Sequence, residues 1–374
     1  MKILFLGPLP PPVTGHSLAC KVLHDALVAE HAVQTIDLNK KEFSQGVSSV
    51  NRVVSIAGIL WRIWRAREFG DVIYLTPAES IAGNMKDLVI YLACFFQLDR
   101  MVIHLHGGAG LKVLLSDRHK LLRAVNRFFL RRIAGAIVLG ARHRAVFAGL
   151  VDDRKIHEVP NFAEDYLFLD DDQIQAKFSS CKPLRLLFLS NLLPGKGHIE
   201  LLAALQMLAE HERSHLQVDF AGGFESVRQR DEFLLSIGGC RQFVYHGVVS
   251  GNAKLALFAQ AHVFCLPTYY PYEGQPISIL EAYASGCAVM TTDHSGIFDV
   301  FSDPLNGFEV LPRSAESIAT VLRTILADPS GLLGLALANA RTARKQYRAV
   351  KFTDAVSDVL HEATGHVDRL LPRR

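Results

Sequence analysis

Short runs rich in leucine, isoleucine, valine and phenylalanine alternate along this chain with longer stretches whose apolar residues recur at helical spacing. In the first half, residues 2–6, 33–38, 72–75, 101–105, 136–139 and 156–159 read as strands; in the second, 184–189, 217–220, 243–245, 263–266 and 288–290 do. Strands separated by helical patterns imply βαβ units and parallel sheets. Glycines or prolines close many of these strands (Gly7-Pro8, Gly107-Gly108, Gly222-Gly223, Gly247). Loops are thereby placed at the carboxyl edges, where open α/β sheets bind ligands. The alternation breaks once. From Pro160 to Pro183 turn residues and charge replace the strand pattern, and this stretch reads as a linker between two doubly wound domains. Its Asp170-Asp171-Asp172 triplet reads as a solvated turn or helix cap in preference to a metal site. A long helical tail is predicted from Ser314 to about His366.

Composition narrows the class. With 374 residues, 49% apolar and 21% charged, the chain is long enough for two globular domains. The longest uncharged apolar runs, such as 88–98, are too short to span a bilayer. The N-terminal apolar run stops at a Gly-Pro turn, as a buried strand does and a signal peptide does not. Six scattered cysteines without a Cys-x-x-Cys pair read as reduced cytosolic thiols.

The net charge of +3 hides an asymmetry. Residues 1–160 hold 21 Lys/Arg against 13 Asp/Glu, so the remainder is acidic. The excess gathers in 61–67 and 118–132, both amphipathic at helical spacing. Such helices suit an anionic membrane surface, and equally a solvated face packed on a sheet. No recognition motif accompanies the charge, so nucleic acid is not an expected partner.

Four constellations carry chemistry. The first loop runs from Gly7 through three prolines to Thr14-Gly15 ahead of a helix, where a peptide can approach a phosphate closely. It lacks the Lys-Ser/Thr pair of a nucleotide triphosphatase, and no Gly-x-Gly-x-x-Gly follows any strand, which disfavours a dinucleotide dehydrogenase. The second is Asn191-Leu-Leu-Pro-Gly-Lys196-Gly197, whose lysine could neutralise a diphosphate leaving group. The third is His104-Leu-His106-Gly-Gly. Strand alternation is expected to turn the two histidines apart, making them poor joint metal ligands and leaving His106 as the one aimed at a ligand. The fourth is Glu273-Gly274-Gln275-Pro276-Ile277-Ser-Ile-Leu-Glu281, a carboxylate and tight loop before an apolar helix with a second carboxylate inside it. A helix N-terminus suits a diphosphate, and flanking carboxylates suit hydroxyls. Eight residues of helix rise would hold the glutamates about 12 Å apart, wider than a glycosidase pair. Two hydroxyl clamps are therefore preferred to a hydrolytic couple.

On these motifs the chain resembles the retaining glycosyltransferases of family 4. The specific part is Glu273-x7-Glu281 with its Ala-Tyr-Ala-Ser-Gly continuation. Support comes from Pro160-Asn161, Gly195-Lys196-Gly197, Gly222-Gly223, Gly247-Val-Val-Ser250 and the proline loop ending in Thr14-Gly15. The resemblance implies a GT-B architecture, two Rossmann-like doubly wound parallel-sheet domains facing across a cleft. An acceptor-side domain would occupy 1–165, a linker 166–183, a nucleotide-sugar domain 184–348, and a final helix 349–374 crossing back to the first domain. It implies metal-free transfer from a nucleotide-diphosphate-sugar, UDP-sugar ahead of GDP-sugar, to a saccharide acceptor. By the same resemblance Glu273 would bind donor-sugar hydroxyls and the backbone of Gly274, Gln275, Pro276 and Ile277 the sugar and phosphate. Lys196 and Asn191 would face the diphosphate, Glu281 the ribose, Gly247 and Val248 the base. Thr14-Gly15 would close from the first domain, and His106 would stand near the transferred sugar. A lipid-linked acceptor in envelope polysaccharide or glycolipid assembly, met at the inner face of the cell membrane, is the reading the basic N-terminal face suggests. A nucleotide-sugar epimerase and a non-catalytic nucleotide- or membrane-binding relative are the alternatives. Two departures stand out: Asn191 replaces the family's frequent arginine, and Gly-Gln-Pro replaces Gly-Phe-Gly after Glu273.

Overall fold

The computed structural model describes residues 1–39 and 49–370. They form two compact units, Met1–Asn161 with Val350–Arg374, and Phe162–Ala349. In the first, β1 (Lys2–Gly7), β2 (Ala32–Asp37), β3 (Val72–Leu75), β4 (Met101–His104), β5 (Gly135–Val138) and β6 (Ile156–Glu158) pair in parallel in the order β2-β1-β3-β4-β5-β6. In the second, β7 (Leu184–Leu189), β8 (Leu216–Ala221), β9 (Phe243–Tyr245), β10 (Val263–Leu266), β11 (Ala288–Thr291) and β12 (Gly307–Glu309) pair in the order β12-β11-β10-β7-β8-β9. Every residue of β3, β4, β5, β10 and β11 is buried. Burial on both faces is what helices on each side of a parallel sheet impose, and it explains the unbroken apolar runs. Two doubly wound parallel sheets are thus present, as the pattern predicts.

The sequence reading lacks β12. This edge strand is three residues long and begins at Gly307, whose φ of +151° and turn-like sequence hide it. A side chain there would also collide with Val289, since an added Cβ would lie 1.9 Å from its carbonyl oxygen.

The stretch read as a linker is built into the second unit. Asp170 caps the helix Asp171–Lys177 through a reciprocal box with Gln173, so the aspartate triplet is a helix start. Lys177 donates to the Ser285 carbonyl at 2.6 Å, and Ser285 Oγ donates to the Leu167 carbonyl at 2.9 Å. Ile174 packs against the Cα of Gly286, where a Cβ would lie 2.6 Å from its side chain. The predicted single tail is three helices, Ala315–Ala327, Leu332–Gln346 and Ala349–Leu370. From Val350 the last one belongs to the first unit, where the Phe352 ring lies 6.0 Å from that of His104. No single helix among the described residues is long and apolar enough to cross a membrane.

Candidate functional site

In the second unit the carboxyl ends of β7 and β10 bring two loops together. After β7 the chain turns through Gly195 and Gly197, with φ of +93° and +90°. Glycine is needed at 197 twice over: the dihedral is left-handed, and a Cβ would lie 2.4 Å from the Pro267 carbonyl oxygen. Tyr269 N–H donates to the Gly195 carbonyl at 2.7 Å, which locks the loop to the segment after β10. Lys196 is thereby aimed across it. Its ammonium lies 2.8 Å from Glu273 Oε2 and 4.7 Å from the Tyr270 ring centroid.

Glu273 is buried and accepts a second hydrogen bond on the same oxygen, from Thr268 Oγ1 at 2.9 Å. The main chain around it is equally fixed. Ser295 Oγ donates to the Glu273 carbonyl at 2.6 Å, and Gly296 N–H to the Gly274 carbonyl at 3.1 Å. The helix Ile277–Ala284 follows, with Pro276 at its N-cap and no side-chain cap, so no side chain of the cap residue takes up its first N–H groups. Residues 273–276 are loop, so helical rise separates Glu273 from Glu281 only over the last part of the interval assumed from the sequence. The loop from Glu273 to Ile277 is buried throughout, whereas Asn191 and Val248 are exposed and Gly247 half-buried. Gly222 N–H donates to the Gly247 carbonyl at 2.8 Å, tying the ends of β8 and β9 together.

Glu281, one turn into that helix, is 1% exposed and lies 2.6 Å from Lys254 Nζ. Lys254 also meets Glu164 at 2.9 Å. Burial pushes the Glu281 carboxyl up, against the pull of Lys254. Burial acts against the Lys254 ammonium too, but two carboxylates outweigh it and raise it to about 12. The ribose role implied for Glu281 therefore falls on a carboxylate that already holds a buried cation.

In the first unit, Thr14 is the N-cap of the helix Gly15–Glu30 and shares a capping box with Ser17. Its hydroxyl is engaged by the Ser17 N–H at 3.1 Å, while Gly15 beside it is exposed. Near this helix start His16, His104 and His106 cluster. The His104 and His106 ring centroids are 4.0 Å apart, and Tyr74 Oη lies 2.9 Å from His104 Nδ1 and 3.3 Å from His106 Nε2. The expectation that they point apart is wrong, because residues two apart on an extended chain share a face. His106 also stacks on His16 at 4.6 Å. Burial lowers His16 to about 4 and His104 to about 3, and holds His106 well below its ordinary value. All three are neutral near pH 7.

The loop after His106 is shaped by Glu79, whose Oε2 accepts the N–H groups of Gly108 and Gly110, both at 3.1 Å. A Cβ on Gly107 would fall 1.5 Å from Glu79 Oε1, so glycine follows His106 for steric reasons. The ligand atoms of His16, Cys20 and His106 lie within 4.8 Å of one another. Burial pushes the Cys20 thiol far up, against the thiolate a metal would need, and the nearly parallel His16 and His106 rings stack in place of converging.

Sequence reasoning did not find Thr268, Lys254, Glu164, Tyr74 or Glu79. Thr268 lies five residues before Glu273 in the same loop, whereas the other four reach their partners from different elements, where no local spacing signals them.

Residues 170–346 match the family model for glycosyl transferases group 1. An uncharacterised glycosyltransferase of Methanocaldococcus jannaschii is 27% identical over 143 residues, 38% of this chain and 36% of that protein. The match therefore spans about a third of the curated relative's length. Among solved structures, HepE of Anabaena in complex with UDP superposes with a TM-score of 0.73 at 17% identity, covering 96% of this chain and 100% of that one. Sucrose-phosphate synthase of Thermosynechococcus elongatus gives 0.74 at 14% identity, over 98% and 100%. WaaG, a glycosyltransferase involved in lipopolysaccharide biosynthesis, gives 0.69 at 14%, over 96% and 99%. The fold is the two-domain α/β fold of GT-B proteins, and the family match lies in its second unit.

Proposed function

We propose that this chain is a retaining glycosyltransferase that moves a hexosyl group from a nucleotide-diphosphate-sugar to a saccharide acceptor without a metal ion. The observation that carries the reading is the Lys196–Glu273 pair, a half-buried cation on a buried carboxylate at the start of an uncapped helix. A donor entering there exchanges partners. Its diphosphate takes over Lys196 and the first helical N–H groups, and a sugar hydroxyl donates to Glu273. As the sugar–phosphate bond breaks, charge grows on the diphosphate, and a fixed ammonium stabilises that charge more than it does the ground state. Glu281 with Lys254 would hold the ribose, Gly247 and Val248 the base side, and Asn191 would face the diphosphate with Lys196. In the first unit Thr14, Gly15 and neutral His106 keep the roles the resemblance assigns them, with His106 able to exchange hydrogen bonds without adding charge.

A UDP-sugar is the favoured donor, by analogy with HepE, which has been seen with UDP and with UDP-glucose. The acceptor is proposed to be lipid-linked, in envelope polysaccharide or glycolipid synthesis, with the protein peripheral at the cytoplasmic face of the membrane through its basic helices. WaaG, whose role is in lipopolysaccharide biosynthesis, is the analogy here.

The test is a panel of nucleotide sugars with chelator present. Expected are thermal stabilisation by at least one UDP-sugar, transfer that survives the chelator, and a product of unchanged anomeric configuration by NMR. Stabilisation by no donor would end the enzyme reading. An isomerised donor would mark an epimerase, and an inverted anomer would overturn retention.

A further inference from the structure

The helix Ile81–Ala93 is built inside out. Its buried face carries Gly83, Asn84 and Asp87 along with Ile90 and Tyr91. Its solvent face carries Ile81, Met85, Val89 and Leu92, and Phe96 continues the line in the turn that follows. Leu92 is 64% exposed and Phe96 87%. Water-facing helices show the reverse arrangement. Nor is burial of the polar face free: Asp87 accepts the Ala78 N–H at 2.7 Å and meets Lys86, and burial still raises it to about 6.

A second helix extends the apolar line. Asn84 and Asn126 exchange two buried amide hydrogen bonds, at 3.1 and 2.9 Å, which fasten Ile81–Ala93 to Lys120–Leu130. Phe95 stacks on Phe128 at 6.0 Å. On Lys120–Leu130 the exposed apolar positions are Leu121, Val125 and Phe128, with Leu121 80% exposed. Phe95 also meets Phe96 at 5.5 Å, so the two helices' exposed apolar residues are joined through these rings, and an exposed apolar face of this kind marks an interaction surface. Its surroundings identify the occupant. Residues 101–150 contain nine Lys/Arg and a single acidic residue, Asp117. Lys120, Arg127, Arg131 and Arg132 are exposed around the second helix, and the Arg132 guanidinium covers the Phe128 ring at 4.1 Å. Apolar side chains ringed by cations match acyl chains beneath anionic headgroups.

We infer that the paired helices Ile81–Ala93 and Lys120–Leu130 form a single membrane-insertion face, in which Leu92, Phe96 and Leu121 enter an anionic bilayer and the surrounding cations hold its phosphates. The inference rests on the membrane-surface reading above and deepens it from adsorption by charge to insertion. Asn84–Asn126 is the lock that keeps the two helices level.

The experiment is co-sedimentation of the full chain with vesicles of phosphatidylcholine containing an equal share of phosphatidylglycerol, at low salt and in about 1 M salt, where the Debye length is about 3 Å. Expected is binding that falls with salt but does not vanish. Phe96→Glu and Leu92→Glu should each weaken the salt-resistant part about tenfold or more, with thermal unfolding unchanged. Arg127→Gln with Arg131→Gln should weaken only the low-salt part. Binding abolished by high salt and indifferent to Phe96→Glu would overturn insertion and leave charge adsorption standing. No binding to any vesicle would overturn both readings. Self-association lost in Phe96→Glu, with no vesicle binding, would assign the face to a second copy of the chain.

Discussion

Lys196 Nζ lies 2.8 Å from Glu273 Oε2 across 77 residues of sequence, and both side chains are largely shielded from water. Each holds the other's charge until a ligand arrives. Lys196→Ala should therefore lower donor affinity about tenfold to a hundredfold, as loss of one charge-assisted contact to a diphosphate does. Glu273→Ala should abolish transfer while leaving binding of the free nucleotide within a fewfold. Titration calorimetry with UDP and with the UDP-sugar separates them, and equal loss of both ligands in Glu273→Ala would mean that this carboxylate does not hold the sugar.

The Lys254–Glu281 pair is more deeply buried, with side chains 9% and 2% exposed. Lys254→Met strands the Glu281 carboxylate and should cost about 3 kcal/mol in chemical denaturation. Adding Glu281→Gln should restore a good part of it. A double variant no more stable than Lys254→Met would show that the charge pairing is not what matters.

Gly197→Ala places a Cβ 2.4 Å from the Pro267 carbonyl at a left-handed φ. The loop must shift, and Lys196 with it. A loss of about 1–3 kcal/mol is expected, accompanied by weaker donor binding. An unchanged Tm and unchanged affinity would refute the steric reading.

Stability should fall on mild acidification. His16, His104 and His143 are depressed by burial to about 4, 3 and 4. The folded state holds them neutral while the unfolded chain, near 6.5, takes up protons, so stability is complete above about pH 6.5 and drains away as the pH drops toward 4. Asp87, raised to about 6, acts in the opposite sense between about 4 and 6 and is outnumbered. Denaturation midpoints across this range provide the check. A flat profile between pH 6.5 and 4.5 would contradict the buried neutral histidines.

The strands were legible because a strand covered on both faces must be apolar at nearly every position, as 72–75 and 263–266 are. The helix at 277 was legible from its own apolar run behind Gly-Gln-Pro. What stayed hidden were features that no local pattern encodes. β12 looks like a turn because its pairing with β11 alone makes it a strand. The segment 166–183 looks like a linker because its partners, Ala284 and Ser285, lie more than a hundred residues away. His104 and His106, two apart on extended chain, share a face, as their common Tyr74 hydroxyl makes plain.

Consecutive residues alone specify the two doubly wound sheets, the loops at their carboxyl ends, and which of those loops carry Lys196, His106 and Glu273. Periodicity and turn chemistry are local, and they are written in consecutive residues. The partners come from the folded arrangement: Lys196 on Glu273, Lys254 and Glu164 with Glu281, Glu79 beneath the loop after His106. It also decided that the helix at 81–93 buries its asparagine and aspartate and shows its apolar residues to the outside. Hydrogen bonds, ion pairs and burial join residues through space, and the chain's order does not reveal which distant side chain will arrive.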